Sequence, residues 1–148
     1  MNAPSFTLAD ETGRQVSSKD FLGSSLIVFF YPKAMTPGCT TEACDFRDSY
    51  AALLAAGYQV VGISPDPPER LVAFREKEAL PFTLLSDPAH RVAEAFGAWG
   101  LKKNYGREYE GIIRSTFVIG PTGAIVGEYR NVKAAGHVAR LTRELLGA

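Results

Sequence analysis

Leu26-Ile-Val-Phe-Phe-Tyr31 and Tyr58-Gln-Val-Val-Gly-Ile-Ser64 are short runs dominated by aliphatic, β-branched and aromatic residues. Unbroken apolar runs of this length fit strands covered on both faces, as in the centre of a parallel sheet. Between them, residues from about Pro37 to Ala56 have helix-forming composition. Phe46, Tyr50, Leu53 and Leu54 recur at helical spacing and Gly57 supplies the stop. Strand, helix and strand together make a βαβ unit.

Working outward, Asp66-Pro67-Pro68-Glu69 reads as an N-cap, prolines in the first turn and an acid three residues on, so a helix is expected to run to about Glu78 with Pro81 closing it. A short strand at Phe82–Leu85 follows. Asp87-Pro88 repeats the cap-and-proline start, with Val92 and Phe96 one turn apart and Gly97 as the end. Thr116–Ile119 and Ala124–Tyr129 flank Gly120-Pro-Thr-Gly123 as an antiparallel hairpin, and Ala134, Val138, Leu141 and Leu145 mark one face of a last helix. No repeat or linker interrupts this order, so residues 1–148 are expected to form one domain. A mixed α/β sheet with a hairpin near its C-terminal end and a closing helix predicts a thioredoxin-like three-layer sandwich.

The chain has 148 residues with sixteen basic and sixteen acidic side chains, 46% hydrophobic and 11% aromatic. A chain of this length buries enough surface to fold without a disulfide scaffold or structural metal. Its zero formal charge and scattered Lys and Arg argue against nucleic acid as a partner. Asp10, Glu11 and Asp20 interrupt the first 25 residues, and no apolar run is long enough for a signal peptide core or a membrane span, so a reducing, cytoplasmic setting is expected. There, paired cysteines are more often catalytic or metal-binding than structural. Cys39, Cys44, His90 and His137 show no zinc-ligand spacing, and no metal or cofactor is expected. His90 and His137 are read as surface or packing residues.

Chemistry is expected where a strand ends and a helix begins. There the chain reads Tyr31-Pro-Lys-Ala-Met-Thr-Pro-Gly-Cys-Thr-Thr-Glu-Ala-Cys44. Thr36 can cap the helix and Pro37 suits its first position, which puts Cys39 in the first turn. Unpaired N–H groups and the helix dipole favour an anion there, so Cys39 is either a reactive thiolate or a small buried apolar residue. The spacing Cys-x-x-x-x-Cys differs from the two-residue gap of general disulfide oxidoreductases.

Pro32-x-x-x-Thr36-x-x-Cys39 resembles the peroxiredoxin active-site signature. Thr-Pro-Gly-Cys-Thr-Thr-Glu-Ala-Cys-Asp-Phe-Arg47, with Ala98-Trp-Gly-Leu-Lys-Lys103 and Gly106-Arg-Glu-Tyr-Glu-Gly-Ile-Ile-Arg-Ser-Thr-Phe-Val-Ile119, is similar to the peroxiredoxin Q or bacterioferritin comigratory protein branch. The similarity spans nearly the whole chain. It implies a thiol-dependent peroxidase acting on hydrogen peroxide and small organic hydroperoxides, with Cys39 as the peroxidatic cysteine. It further implies that Thr36 hydrogen-bonds thiolate and peroxide, that Arg114 polarises the peroxide, that backbone N–H groups near Gly38 and Cys39 complete the site, and that Pro32 shields it. Cys44 would be the resolving cysteine, condensing with the Cys39 sulfenic acid to an intramolecular disulfide that thioredoxin or a similar dithiol protein reduces. Glu42 either orients an arginine or is a solvated helix position. Trp99 and Tyr105 are expected to border the pocket. The chain ends without the extended tail of obligate-dimer peroxiredoxins, which favours a monomer. The rival readings are a thiol–disulfide oxidoreductase and a non-catalytic redox-sensing module on the same fold.

If both cysteines lie in one regular helix, their Cα atoms stand about 8.6 Å apart on faces roughly 140° apart. A disulfide needs about 4.4–6.8 Å, so the first turns must unwind before the bond can close.

Overall fold

The computed structural model describes residues 2–104 and 106–147. A seven-stranded sheet runs through the molecule. Its strands are β1 (Thr7–Asp10), β2 (Gln15–Ser17), β3 (Ser25–Phe30), β4 (Tyr58–Ser64), β5 (Thr83–Ser86), β8 (Ser115–Ile119) and β9 (Ile125–Tyr129), in the order β2-β1-β5-β4-β3-β8-β9. The central trio β5, β4 and β3 is parallel, whereas β1 and β8 attach antiparallel at either side. The two apolar runs thus pair with each other, Ile27 beside Val60 and Phe29 beside Gly62.

Alternation along β3 sends Ile27, Phe29 and Tyr31 to one face and Leu26, Val28 and Phe30 to the other, all buried. The first face packs on α1 (Pro37–Ala55), α2 (Pro68–Glu78) and α4 (His137–Leu146), with Phe46, Leu53, Phe74, Val138 and Leu141 in the same cluster. The second packs on α3 (Arg91–Ala95) through Val92, Ala93 and Phe96. This is the expected three-layer, thioredoxin-like arrangement around a mixed sheet. Gly57 ends α1 at φ +92°, a left-handed conformation that favours glycine. Among the described residues no helix is long and apolar enough to cross a membrane.

Two hairpins were not expected as strands. β1 and β2 form one at the sheet edge, and β6 (Trp99–Asn104) with β7 (Arg107–Ile112) forms a separate two-stranded ribbon. The ribbon carries Lys102, Lys103, Arg107, Glu108 and Glu110, so it has no apolar run to announce it. Tyr105 lies outside the described residues.

Both aspartate starts are corrected. Asp66 does not cap α2, whose N-cap is Pro67; its carboxylate is engaged instead by the Ala34 N–H at 2.7 Å, the Ser64 hydroxyl at 2.7 Å and Arg70 at 3.3 Å. Asp87 does accept from the Val92 and Ala93 N–H groups at 3.1 and 3.0 Å, but across a turn, so α3 begins at Arg91. Ala134 precedes α4, leaving Val138 and Leu141 as its buried apolar face.

His137 is a packing residue, buried with a ring nitrogen 2.8 Å from the Thr116 hydroxyl. Burial, then Arg140 and Arg114, push its pKa down to about 4. The neutral ring is therefore favoured in the folded state. The associated stability is complete above the unfolded value near 6.5 and is lost as pH falls toward about 4. Thermal melting at stepped pH should show His137→Gln losing less stability than the parent between pH 6.5 and 4; parallel curves would mean that His137 does not titrate in this range.

Candidate active site

Cys39 falls in the first turn of α1, after a loop whose shape is set from the next βα unit. Ala34 in that loop gives its N–H to Asp66 and takes a bond from Arg70 Nη2 at 3.0 Å, so both its backbone polar groups are held. Met35 follows at φ +65°, sparsely populated for a residue with a side chain. Thr36 then has the extended backbone of an N-cap, but its hydroxyl donates to the Lys33 carbonyl at 2.7 Å and makes no side-chain cap bond. The expected cap is thus a backbone one. With its proton on the Lys33 carbonyl, the Thr36 hydroxyl has none to give a thiolate, so the expected bond to the Cys39 sulfur is not made; its oxygen keeps lone pairs to accept one.

The Cys39 side chain is buried. Arg114, on the link between β7 and β8, donates from Nη2 to Cys39 Sγ at 3.3 Å and from Nη1 to Glu42 Oε1 at 2.5 Å. The fork therefore spans one turn of α1, with one prong on the sulfur and the other on a carboxylate that is fully buried. This answers the open reading of Glu42: it orients the arginine. Burial drives the Glu42 pKa up to about 7, with Arg114 opposing that rise. Burial works against the guanidinium charge, but Glu42 and then Cys39 favour it and Arg114 is held cationic. Gly38 leaves room for the fork, since a Cβ there would stand 3.3 Å from Arg114 Nη2. The backbone of Arg114 is fixed as well, its carbonyl accepting from the Val132 N–H at 2.9 Å.

Beside Arg114 opens a cavity of about 470 Å³ whose wall includes Pro32, Leu101, Lys102, Ile113 and Val132. Lys102 reaches back over Gly111 to the Ile112 carbonyl at 2.8 Å. Burial and the neighbouring Arg114 lower its pKa. Trp99 is not in this wall: its ring stacks on His90 with centroids 3.7 Å apart, and it packs with the apolar cluster under α3. His90 is thereby partly buried and also lies 3.2 Å from Glu94.

Cys44 sits on the same helix but in a different setting. It is half-buried, with its sulfur donating to Glu78 Oε1 at the end of α2 at 3.4 Å. Both cysteines are free thiols. A sulfur under a fixed cation at a helix N-terminus is the reactive arrangement for a thiol, and a carboxylate beside a second thiol is the opposite one.

The family model described as the AhpC/TSA family matches residues 1–127. The chain belongs to the AhpC/TSA family. It is 48% identical to peroxiredoxin Bcp of Bacillus subtilis over 143 residues, 97% of this chain and 91% of that one. Two solved structures superpose with a TM-score of 0.90 and cover 96% of this chain and 90% of theirs: Xanthomonas campestris peroxiredoxin Q, at 35% identity, and the bacterioferritin comigratory protein of the same organism, at 34%, described in connection with its alkyl peroxide reduction activity. Within AhpC/TSA, then, this is a peroxiredoxin of the Bcp kind, a thiol-dependent peroxidase.

Proposed function

We propose that the chain reduces hydrogen peroxide and organic hydroperoxides through an intramolecular two-cysteine cycle. The observation that carries this reading is the Arg114 fork, one prong on the Cys39 sulfur and one on buried Glu42. In the first half-reaction the Cys39 thiolate attacks the nearer peroxide oxygen. The O–O bond breaks, water or an alcohol leaves, and Cys39 becomes a sulfenic acid. Arg114 stabilises the charge on the oxygens in flight, and the N–H groups of the first turn of α1, near Gly38 and Cys39, assist. Thr36 accepts the peroxide O–H and fixes its direction. Pro32 and the apolar part of the cavity wall keep bulk water from the sulfur and give an alkyl group somewhere to lie.

In the second half-reaction Cys44 condenses with the sulfenic acid, and thioredoxin or a similar dithiol protein in a reducing, cytoplasmic setting reduces the disulfide. The enzyme works as a monomer. A coupled assay with thioredoxin, its reductase and NADPH tests the reading directly: NADPH consumption should depend on added peroxide. Consumption that a disulfide substrate drives without peroxide, faster with the chain than with thioredoxin and its reductase alone, would favour the oxidoreductase reading, and no chain-dependent consumption with either would favour a sensing module.

Cys44→Ser should still undergo one oxidation per chain. Its Cys39 is then left as sulfenic acid and proceeds further to sulfinic acid than in the parent, because the competing disulfide step is gone. Intact-mass measurement after stepped peroxide additions checks this. Turnover with thioredoxin at the parental rate would remove Cys44 from the cycle.

A further inference from the structure

The two sulfurs meet opposite chemistry. Cys39 faces a donor, the Arg114 guanidinium at 3.3 Å, while Cys44 faces an acceptor, the Glu78 carboxylate at 3.4 Å. The same stretch of α1 is fastened to the same residue a second time: Arg47 Nη1 donates to the Glu78 carbonyl at 2.7 Å, at the open C-terminal end of α2. Cys44 and Arg47 thus lie on neighbouring turns of one helix and both close on Glu78. This double contact fixes the Cys44 sulfur against a carboxylate whose backbone is itself held. The charged groups around that sulfur are Arg47 and Asp48 from its own helix and Glu78 from α2. Burial, and next the bond to Glu78, push the Cys44 thiol up, so it enters the second half-reaction still carrying its proton.

That proton has to go somewhere as the disulfide forms. We propose that Glu78 is a catalytic residue of the resolving step, taking the thiol proton from Cys44 as its sulfur attacks Cys39 and passing it to the departing hydroxide. The proposal rests on the reading of Cys44 as the resolving cysteine. The Cys44 sulfur supplies the electron pair of the new S–S bond and is oxidised. The Cys39 sulfur is reduced as its S–O bond breaks, and the hydroxide takes the relayed proton and leaves as water. No outside oxidant or reductant enters the step. Because the Arg47 bond goes to a backbone carbonyl, Cys44 keeps its mooring to α2 while the turns before it open, and Cys39 is the sulfur that travels.

Glu78→Gln tests this while preserving side-chain size, a hydrogen-bond acceptor and the Arg47 contact. Reduced protein is mixed with one equivalent of hydrogen peroxide. Sulfenic acid is trapped with dimedone and disulfide is followed by mass at stepped pH. The variant should oxidise Cys39 at the parental rate but close the disulfide about 10²-fold or more slowly near neutrality, the lower end of the usual scale for a lost acid–base group. Its rate should then climb with pH as hydroxide replaces the carboxylate, more steeply than in the parent. Closure as fast as or faster than in the parent would overturn the assignment, and so would a slower rate with the parental pH profile, which would mark Glu78 as structural. A parent protein that forms no Cys39–Cys44 disulfide at all would instead overturn the two-cysteine reading beneath it.

Discussion

Replacing Cys39 by serine is expected to reduce peroxide-dependent NADPH oxidation to background and leave the fold in place. The loss follows from the nucleophile: a serine hydroxyl stays protonated at neutral pH and, without a general base aimed at it, does not attack an O–O bond. Arg114 is a donor and cannot serve as that base. Retention of the fold follows from size. Cys39 is buried, and an oxygen in place of sulfur is a smaller atom that can still accept from Arg114, so little is left unsatisfied. Thermal melting and the coupled assay on the same preparation separate the two effects. Substantial turnover in this variant would move the nucleophile to Cys44 and dismantle the cycle.

Arg114→Met should slow the attack on peroxide by about 10²- to 10³-fold, the scale seen when one donor to a developing oxyanion is removed. The expected loss is at the upper end because the residue serves two anions at once. Its removal also leaves Glu42 fully buried without a cation, and breaking one side of a buried pair can cost about 3–5 kcal/mol. A second variant therefore matters. Arg114→Met combined with Glu42→Gln takes away both charges and should recover stability without recovering rate, whereas Arg114→Lys keeps a charge but has no fork to bridge sulfur and carboxylate. Stopped-flow measurement of the first oxidation, at pH values where all variants are folded, gives the rate. An unchanged rate constant in Arg114→Met would place the arginine outside the chemistry.

The parts of this fold legible in the amino-acid sequence were those whose burial is two-sided. β3 and β4 carry unbroken apolar runs because helices cover them above and below, and α1 shows its inner face through Phe46 and Leu53. The β6–β7 ribbon is open to solvent over most of its length, so selection for a core left no periodic mark on it. Asp66 and Asp87 show a different limit. An aspartate before proline has the same local chemistry whether it bonds the first turn of the next helix across a turn, as Asp87 does, or reaches across to hold Ala34, as Asp66 does. Only the neighbouring loop decides. For the site, Cys39 had a local argument in its helix position. Arg114 is 75 residues away, and without the resemblance nothing in its surroundings singled it out. Glu78 carries no local signal, because its meeting with Cys44, 34 residues apart, depends on how α1 and α2 pack.

Glu42 stands in the chain between the two cysteines, three residues after one and two before the other. Any loosening of α1 that lets the sulfurs meet disturbs the backbone that carries Glu42, and draws its carboxylate off the guanidinium it aligns. Under the proposed cycle the oxidised chain thereby loses the carboxylate that aligns its peroxide-polarising arginine for as long as the disulfide lasts. Oxidant and reductant then address two mutually exclusive shapes of one molecule. The steady-state signature of such an alternator is a family of parallel double-reciprocal lines, with neither substrate able to occupy the form that awaits the other.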